Sequence, residues 1–227
     1  MGEIIFITGT DTGVGKSVLT ALLLSHLRRQ KIHALAMKPF CTGGRRDVRI
    51  LQRLQPGELS DSEMNPYYFN EPVAPYVAAE KCGVAIELED VIKKIKRIKS
   101  RCDVLIVEGA GGVMVPLGKN FLIRDLILKL RPAVLLVARN KLGTINHTML
   151  SIHALKTHLS MRLVVIMMGR GKRDLSSRSN RNTLLHFISP IEVLSVPFMG
   201  KNPLNPDVIH ANGKKMKKIL AAILKSV

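Results

Sequence analysis

The 227-residue chain has no tryptophan, only 4% aromatic residues and no long uninterrupted apolar run. So few aromatic side chains leave little surface on which the bases of a single-stranded nucleic acid could stack. A membrane-spanning helix needs about 18 or more apolar residues in a row. We therefore expect neither a membrane partner nor a specific nucleic-acid partner.

Cysteine is also scarce. The three cysteines are Cys41, Cys82 and Cys102, and no two of them form a C-x-x-C pair. An odd, scattered set is typical of reduced thiols in a cytoplasmic protein and carries no zinc signature. The apolar run at residues 4–7 is too short for a secretory leader. We therefore expect a cytoplasmic protein.

Acidic residues are outnumbered: 35 Lys and Arg stand against 17 Asp and Glu, for a net charge of +18. The basic clusters are spread along the chain and alternate with apolar residues, as in residues 91–96 and 214–218. That pattern is typical of solvated helix faces. A generally basic surface that attracts anionic substrates accounts for it more simply than a nucleic-acid site.

The apolar runs alternate with helical patterns, which favours a single α/β domain over residues 1–227. Such alternation predicts a mostly parallel central sheet with helices on both faces, of the P-loop NTPase type. The predicted strands are 4–8, 34–37, 104–107, 133–137, 163–168 and 191–196. The predicted helices are 17–29, 88–99, 122–130, 147–159, 180–187 and 207–225, and the least regular stretches are 39–46, 56–86 and 169–179.

Residues 9–17 carry the strongest functional signal. They read Gly-Thr-Asp-Thr-Gly-Val-Gly-Lys-Ser and join a buried strand to an amphipathic helix. Backbone N–H groups at such a helix start bind phosphate, Lys16 would reach the β- and γ-phosphates, and Ser17 would ligate Mg²⁺. The first glycine, Gly9, stands one residue earlier than in the general P-loop pattern. We interpret the segment as a nucleotide site.

Three further groups of unusual residues follow predicted strands. They are Lys38–Gly44, Glu108–Gly112 and Lys141–His147. Ligands of open parallel sheets bind beyond the carboxyl ends of the strands. Glu108 is suited to Mg²⁺, although a turn acceptor or helix cap would also explain it. Neither Lys16 nor Lys38 is expected in the core.

Together these motifs resemble the ATP-dependent dethiobiotin synthetase family of P-loop NTPases. The resemblance runs through nearly the whole chain in order. It covers the offset phosphate loop at 9–17, Lys-Pro-x-x-Thr-Gly at 38–43, Asn-Pro-Tyr-x-Phe-x-Glu-Pro-x-x-Pro at 65–75, Glu-Gly-Ala-Gly-Gly at 108–112 and Lys-Leu-Gly-x-Ile-Asn-His at 141–147.

The resemblance implies a cyclo-ligase that joins CO₂ to 7,8-diaminopelargonic acid with ATP and Mg²⁺. It implies Lys16 and Lys38 as catalytic residues, and Ser17, Asp47 and Glu108 as metal ligands. It implies a homodimer whose active site is completed by the second subunit. The implied nucleotide contacts are Gly13, Val14, Gly15, Lys16, Ser17, Val18, Asp47, Glu108, Gly109, Ala110, Gly111, Gly169, Arg170, Val196, Pro197 and Phe198; the implied substrate contacts are Thr12, Thr42, Gly143, Thr144, Ile145 and Asn146.

The chain departs from the family pattern at three places. The segment between Gly44 and Asp47 is short, and Gly13 stands where some members have Glu. Gly169-Arg170 stands where an Asn often reads the nucleobase, which predicts weak discrimination between nucleotides.

Three other interpretations remain open. A ParA/MinD-type partitioning ATPase would suit the charge, but that class has a lysine where this chain has Asp11. An amide-forming synthetase of the cobyrinate type would need an additional glutaminase domain. A descendant that binds nucleotide without catalysis is the third.

Overall fold

The computed structural model describes residues 3–155, 162–171 and 174–227. The strands are β1 Glu3–Gly9, β2 Ala34–Met37, β3 Phe40–Thr42, β4 Tyr67–Phe69, β5 Val104–Gly112, β6 Pro116–Gly118, β7 Phe121–Leu122, β8 Ala133–Arg139, β9 Leu163–Met168 and β10 Glu192–Val196. The helices are α1 Lys16–Arg29, α2 Arg46–Leu54, α3 Asp61–Met64, α4 Pro75–Lys81, α5 Leu88–Lys99, α6 Ile123–Leu130, α7 Thr144–Leu155, α8 Ser176–Ile188, α9 Pro206–Lys215 and α10 Lys217–Lys225.

Six strands form one sheet in the order β10-β9-β8-β1-β5-β2, and every neighbouring pair is parallel. All six were predicted from their continuous apolar runs, which are typical of strands covered on both faces. The central strands are the most deeply buried; Leu135 and Ile106, for example, are wholly inaccessible. The predicted fold class, a parallel sheet flanked by helices, is confirmed.

Several predicted boundaries were wrong. The predicted helix 207–225 is two helices that break at Met216, which lies buried between them. Helix α8 begins at Ser176, four residues before the predicted start at residue 180. The Asp174 carboxylate, just before the first turn, accepts the Ser177 N–H at 2.9 Å and so stabilises this earlier start. The predicted helix 147–159 begins earlier, at Thr144, and its residues 156–159 lie outside the described part of the chain.

Short elements fill the segments predicted to be irregular. Residues 56–86 contain α3, β4 and α4, and α2 was not predicted at all. A signal for α3 was present in the sequence. The Ser60 hydroxyl accepts the Glu63 N–H, and the Glu63 carboxylate accepts the Ser60 N–H, which is a capping box.

Because the six strands are parallel, their carboxyl ends lie at one edge of the sheet. The phosphate loop after β1, Lys38 after β2 and the second half of β5 therefore meet there. The predicted strand 104–107 was too short: β5 continues to Gly112, so Glu108 lies within the strand and does not follow it. Among the described residues, no helix is both long and apolar enough to cross a membrane.

The edge strand β2 is held in place by a side-chain amide. Gln55, at the end of α2, accepts the Ala36 N–H at 2.8 Å and donates to the Ala36 carbonyl at 2.7 Å. Its side chain thus provides the two hydrogen bonds that a further strand would provide. The residue is almost wholly buried, so both bonds are shielded from water.

We expect Gln55→Ala to lower the free energy of unfolding by about 1–3 kcal/mol, because it leaves buried backbone groups of Ala36 without partners. Urea denaturation measures the effect. Gln52→Ala on the same helix is the matched control, since its amide bonds the exposed Asp61 carboxylate. Equal stability of the two variants would contradict this role for Gln55.

Candidate functional site

The phosphate loop joins β1 to α1. Gly15 precedes α1 with φ 112°, a left-handed conformation that side chains disfavour, and no side chain caps the first turn. The early Gly9 is explained by close packing, since a Cβ there would lie 2.8 Å from Val14 Cγ2. The first-turn N–H groups of α1 are thus left available to an anion.

Lys16 is the first residue of α1, and its ammonium lies among backbone carbonyls. It donates to the Asp11 carbonyl at 2.9 Å and to the Gly111 carbonyl at 2.7 Å. Burial, with the nearby Lys38 ammonium as a further contributor, lowers the pKa of Lys16 to about 8. An ammonium buried without a carboxylate directly bonded to it would gain stability from an incoming phosphate.

Lys38 and Glu108 form a buried ion pair beside this loop. Lys38 Nζ lies 2.5 Å from Glu108 Oε1 and 2.9 Å from Asp47 Oδ2. Burial would lower the pKa of Lys38, but the two carboxylates outweigh it and the net shift is upward. Burial would likewise raise the pKa of Asp47, and the Lys38 ammonium holds it below its usual value. Lys38 and Asp47 therefore carry charge at neutral pH.

The expectation that Lys16 and Lys38 lie outside the core was wrong. Their relative exposures are 6% and 8%, and that of Glu108 is 0%. The carbon stems of the two lysines pack inside while their ammonium groups find polar partners. Glu108 lies within β5, so neither a helix cap nor a turn explains it.

A hard divalent cation would find oxygen ligands here. The Ser17 hydroxyl donates to Glu108 Oε1 at 2.7 Å, and Asp47 also lies close to Ser17. Glu108 Oε2 is buried without a hydrogen-bond partner in the described chain, so one acceptor is left for a ligand. Two carboxylates and a hydroxyl suit Mg²⁺, which keeps several of its own waters.

A cavity of about 450 Å³ opens from the ion pair. Six predicted site residues line it, namely Thr12, Lys38, Thr42, Asp47, Ala110 and Gly111. The predicted site residues did not include Val115 and residues 72–75, which also line the cavity, nor Phe40, Cys41 and Gly44 of the singled-out segment Lys38–Gly44. The motif at 65–75 was the available signal for residues 72–75.

A second cavity, of about 200 Å³, lies on the other side of the phosphate loop. It contains the predicted residues Gly13, Val14, Gly15, Val18, Gly169, Pro197 and Phe198. Arg170 and Val196 do not line it, and Val196 is buried. Arg139, Met168, Met199, Gly200 and Pro203 were missed; Arg139 could have been found, because it is the last residue of a parallel strand.

The segment 141–147 lies apart from the larger cavity. Thr144 borders a small cleft of about 40 Å³ with Thr10, Asp11 and Thr12 of the phosphate loop. Gly143, Ile145 and Asn146 line neither of the two larger cavities. Gly143 and Asn146 are exposed, so within one chain these residues do not reach the space beside Thr42.

Comparisons with known proteins agree on the family. A family model described as "AAA domain" matches residues 3–212. The ATP-dependent dethiobiotin synthetase BioD of Bacillus licheniformis is 37% identical over 216 residues, covering 90% of this chain and 89% of that protein. The enzyme of the same name from Bacillus velezensis is 35% identical, covering 95% and 91%.

Solved structures show the fold alone. The MinC:MinD cell division protein complex of Aquifex aeolicus matches with a TM-score of 0.61 at 20% identity, covering 96% of each chain. A ParA family ATPase from Chlorobium tepidum matches with a TM-score of 0.56 at 16% identity, covering 98% of this chain and 93% of that one. These likenesses do not carry a partitioning function to this chain.

We expect Lys38→Met to lower the free energy of unfolding by about 3–5 kcal/mol, because it leaves the Glu108 carboxylate buried without its cation. Adding Glu108→Gln should recover part of that loss, since the buried negative charge is then removed as well. Urea denaturation at pH 7 measures both variants. Lys96→Met on the exposed face of α5 is the control, and a Lys38→Met variant as stable as that control would contradict the argument.

Proposed function

The chain belongs to the ATP-dependent dethiobiotin synthetase family, and we propose that Lys16, Lys38 and Glu108 carry its reaction. The reaction is the ATP-dependent carboxylation and ring closure of 7,8-diaminopelargonic acid with CO₂, which yields dethiobiotin in biotin biosynthesis. One observation carries the proposal. The Lys38 ammonium lies at the boundary between the phosphate loop and the 450 Å³ cavity, where a γ-phosphate and a carbamate would meet.

The chemistry proceeds in three balanced steps. An amine of the substrate adds to CO₂ and loses a proton, which gives a carbamate. A carbamate oxygen attacks the γ-phosphorus of ATP, ADP leaves, and a carbamic–phosphoric anhydride forms. The second amine then attacks the carbamoyl carbon and loses a proton, phosphate leaves, and the urea ring closes.

Charge stabilisation is the main demand of the phosphoryl step. Lys16 lies at the helix start where the β- and γ-phosphates would bind, and would exchange its carbonyl partners for phosphate oxygens. Lys38 would face the carbamate from the other side and offset charge on the transferring group. Thr42 and Thr12, which line the cavity, would orient the carbamate and the amine.

Ser17, Asp47 and Glu108 fit a bound Mg²⁺, because Glu108 Oε2 is a buried oxygen without a partner in the described chain. When bound, Mg²⁺ would supply positive charge to the phosphate oxygens. Asp47 and Lys38 would also hold each other in position, since their ion pair ties α2 to the end of β2.

A homodimer would complete the site. The N–H groups at the start of α7, over Gly143–Asn146, suit a carboxylate, but they lie away from the cavity of their own chain. Leu142, Met149 and Leu150 beside them are exposed apolar side chains. A second copy that covered these side chains would bring its α7 to the cavity and hold the carboxylate of the substrate.

The three free thiols suit the reducing cytoplasm as the site of action.

We expect labelled bicarbonate to enter a cyclic product only when ATP and diaminopelargonate are both present. Lys16→Ala and Lys38→Ala should each lower kcat about 10²- to 10³-fold, because each removes a charge that stabilises the transition state. Kinetics on protein shown to be folded by circular dichroism measure the loss. Lys96→Ala on α5 should behave as wild type; near-normal turnover in Lys38→Ala would remove that residue from the mechanism.

A mixing experiment tests the shared site. Ile145→Pro removes one N–H from the first turn of α7, where proline is tolerated. Each of Ile145→Pro and Lys16→Ala should be nearly inactive alone. A 1:1 mixture that re-equilibrates should regain about one quarter of wild-type activity, because half of the dimers are mixed and each has one intact site. Absence of any recovery in dimers proven to be mixed would contradict a site built from two chains.

A further inference from the structure

The 200 Å³ cavity offers a nucleobase almost no hydrogen-bonding side chain. Among the described residues, its walls are glycine, proline, valine, methionine and phenylalanine, and Arg139 is the one polar side chain that lines it. A guanidinium donates hydrogen bonds and accepts none. Arg139 already donates to the Gly13 carbonyl of the phosphate loop. Of the described side chains that line the cavity, none can therefore accept a hydrogen bond from the amino group of adenine or cytosine.

The backbone at Gly169 leaves no room for a side chain that could hydrogen-bond to the edge of the base. A Cβ at Gly169 would lie 2.8 Å from Phe198 N, a distance that real Cβ atoms essentially never show, and a tight 3.1 Å from the Val196 carbonyl oxygen. The Gly169 N–H donates to that same Val196 carbonyl at 2.7 Å. This contact joins the ends of β9 and β10 and uses the Gly169 N–H, a donor that could otherwise have met a base edge.

In place of hydrogen-bonding groups, Phe198 supplies a flat apolar surface. Its side chain lines the cavity, yet half of its surface is exposed to solvent. Gly171 lies under the ring, since a Cβ there would be 3.1 Å from Phe198 Cε1. An exposed aromatic ring beside a phosphate loop is suited to stacking on a base, and every base has a face that can stack.

We propose that this cavity binds the nucleobase by stacking and shape without reading its edge, so that the enzyme uses ATP, GTP, CTP and UTP with similar efficiency. The proposal rests on the function proposed above and concerns its phosphoryl donor. Selection between bases depends on leaving a buried polar group unpaired when the wrong one binds. In this cavity no described side chain is an acceptor, so exchanging adenine for another base leaves none of these side chains with an unpaired acceptor. The energy of binding comes instead from the triphosphate, held by the phosphate loop and Lys16.

The test is kcat/KM for the four triphosphates at fixed ionic strength and saturating Mg²⁺ and diaminopelargonate. We expect the four values to agree within about tenfold, which corresponds to about 1.4 kcal/mol. A preference for ATP greater than tenfold overturns the proposal and leaves the enzymatic function intact. Failure of all four to support turnover contradicts the function itself, so the two failures are distinguishable.

Variants of the cavity distinguish stacking on the base from hydrogen bonding to its edge. Phe198→Ala should raise the KM of all four triphosphates in parallel, by about tenfold. Phe187→Ala is the matched control, because Phe187 is an exposed phenylalanine on α8 that lines neither of the larger cavities. Arg139→Met should leave the ratios among the nucleotides unchanged. A loss confined to one base in either Phe198→Ala or Arg139→Met would show that the base is read and would overturn the proposal.

Discussion

The charge of Glu108 is the constraint on which the site depends. A wholly buried carboxylate is costly to desolvate unless a cation and hydrogen-bond donors face it. Lys38 from the end of β2 and Ser17 from α1 provide those partners, and Asp47 from α2 provides the second negative charge that keeps Lys38 protonated. One carboxylate thus determines how β2, β5, α1 and α2 must meet. The same charges define where phosphate and metal can bind.

The two lysines differ in what surrounds them, and the difference suits two roles. Lys38 is neutralised by carboxylates, so it is held rigidly and its pKa is raised. Lys16 is bonded only to carbonyls, and burial lowers its pKa. On the proposed function, a bound nucleotide triphosphate would relieve Lys16 of an unfavourable environment, whereas Lys38 already has counter-charges and would only exchange partners. Lys16 would then serve to bind and position the phosphate group, and Lys38 would align the acceptor.

The sequence allowed prediction of the six-stranded sheet and of the residues that gather at its carboxyl edge. Continuous apolar runs fix the strands, and parallel order brings their ends together, so Lys16, Lys38 and Glu108 could be placed near one another without coordinates. The buried state of the lysines could not be predicted, because it depends on the stems packing against side chains distant in sequence. Residues 72–75, the wall of the larger cavity, were missed for a similar reason: short elements in 56–86 are ordered by contacts with the sheet more than by their own periodicity.

The two larger cavities differ in the chemistry of their linings: one is charged and the other is mostly apolar. The cavity beside Lys38 and Asp47 has charged side chains in its lining, which would act on a bound phosphate. The described lining of the cavity beside Phe198 is apolar apart from Arg139, so on our proposal it would tolerate differences in the edge of its occupant. Electrostatic attraction also acts over a longer range than hydrogen bonding, and a net charge of +18 favours any polyanion. On the proposed function, selectivity would therefore reside at the reacting end of the nucleotide, where a phosphate would face Lys16 and an acceptor oxygen would face Lys38, and little of it would be needed at the base.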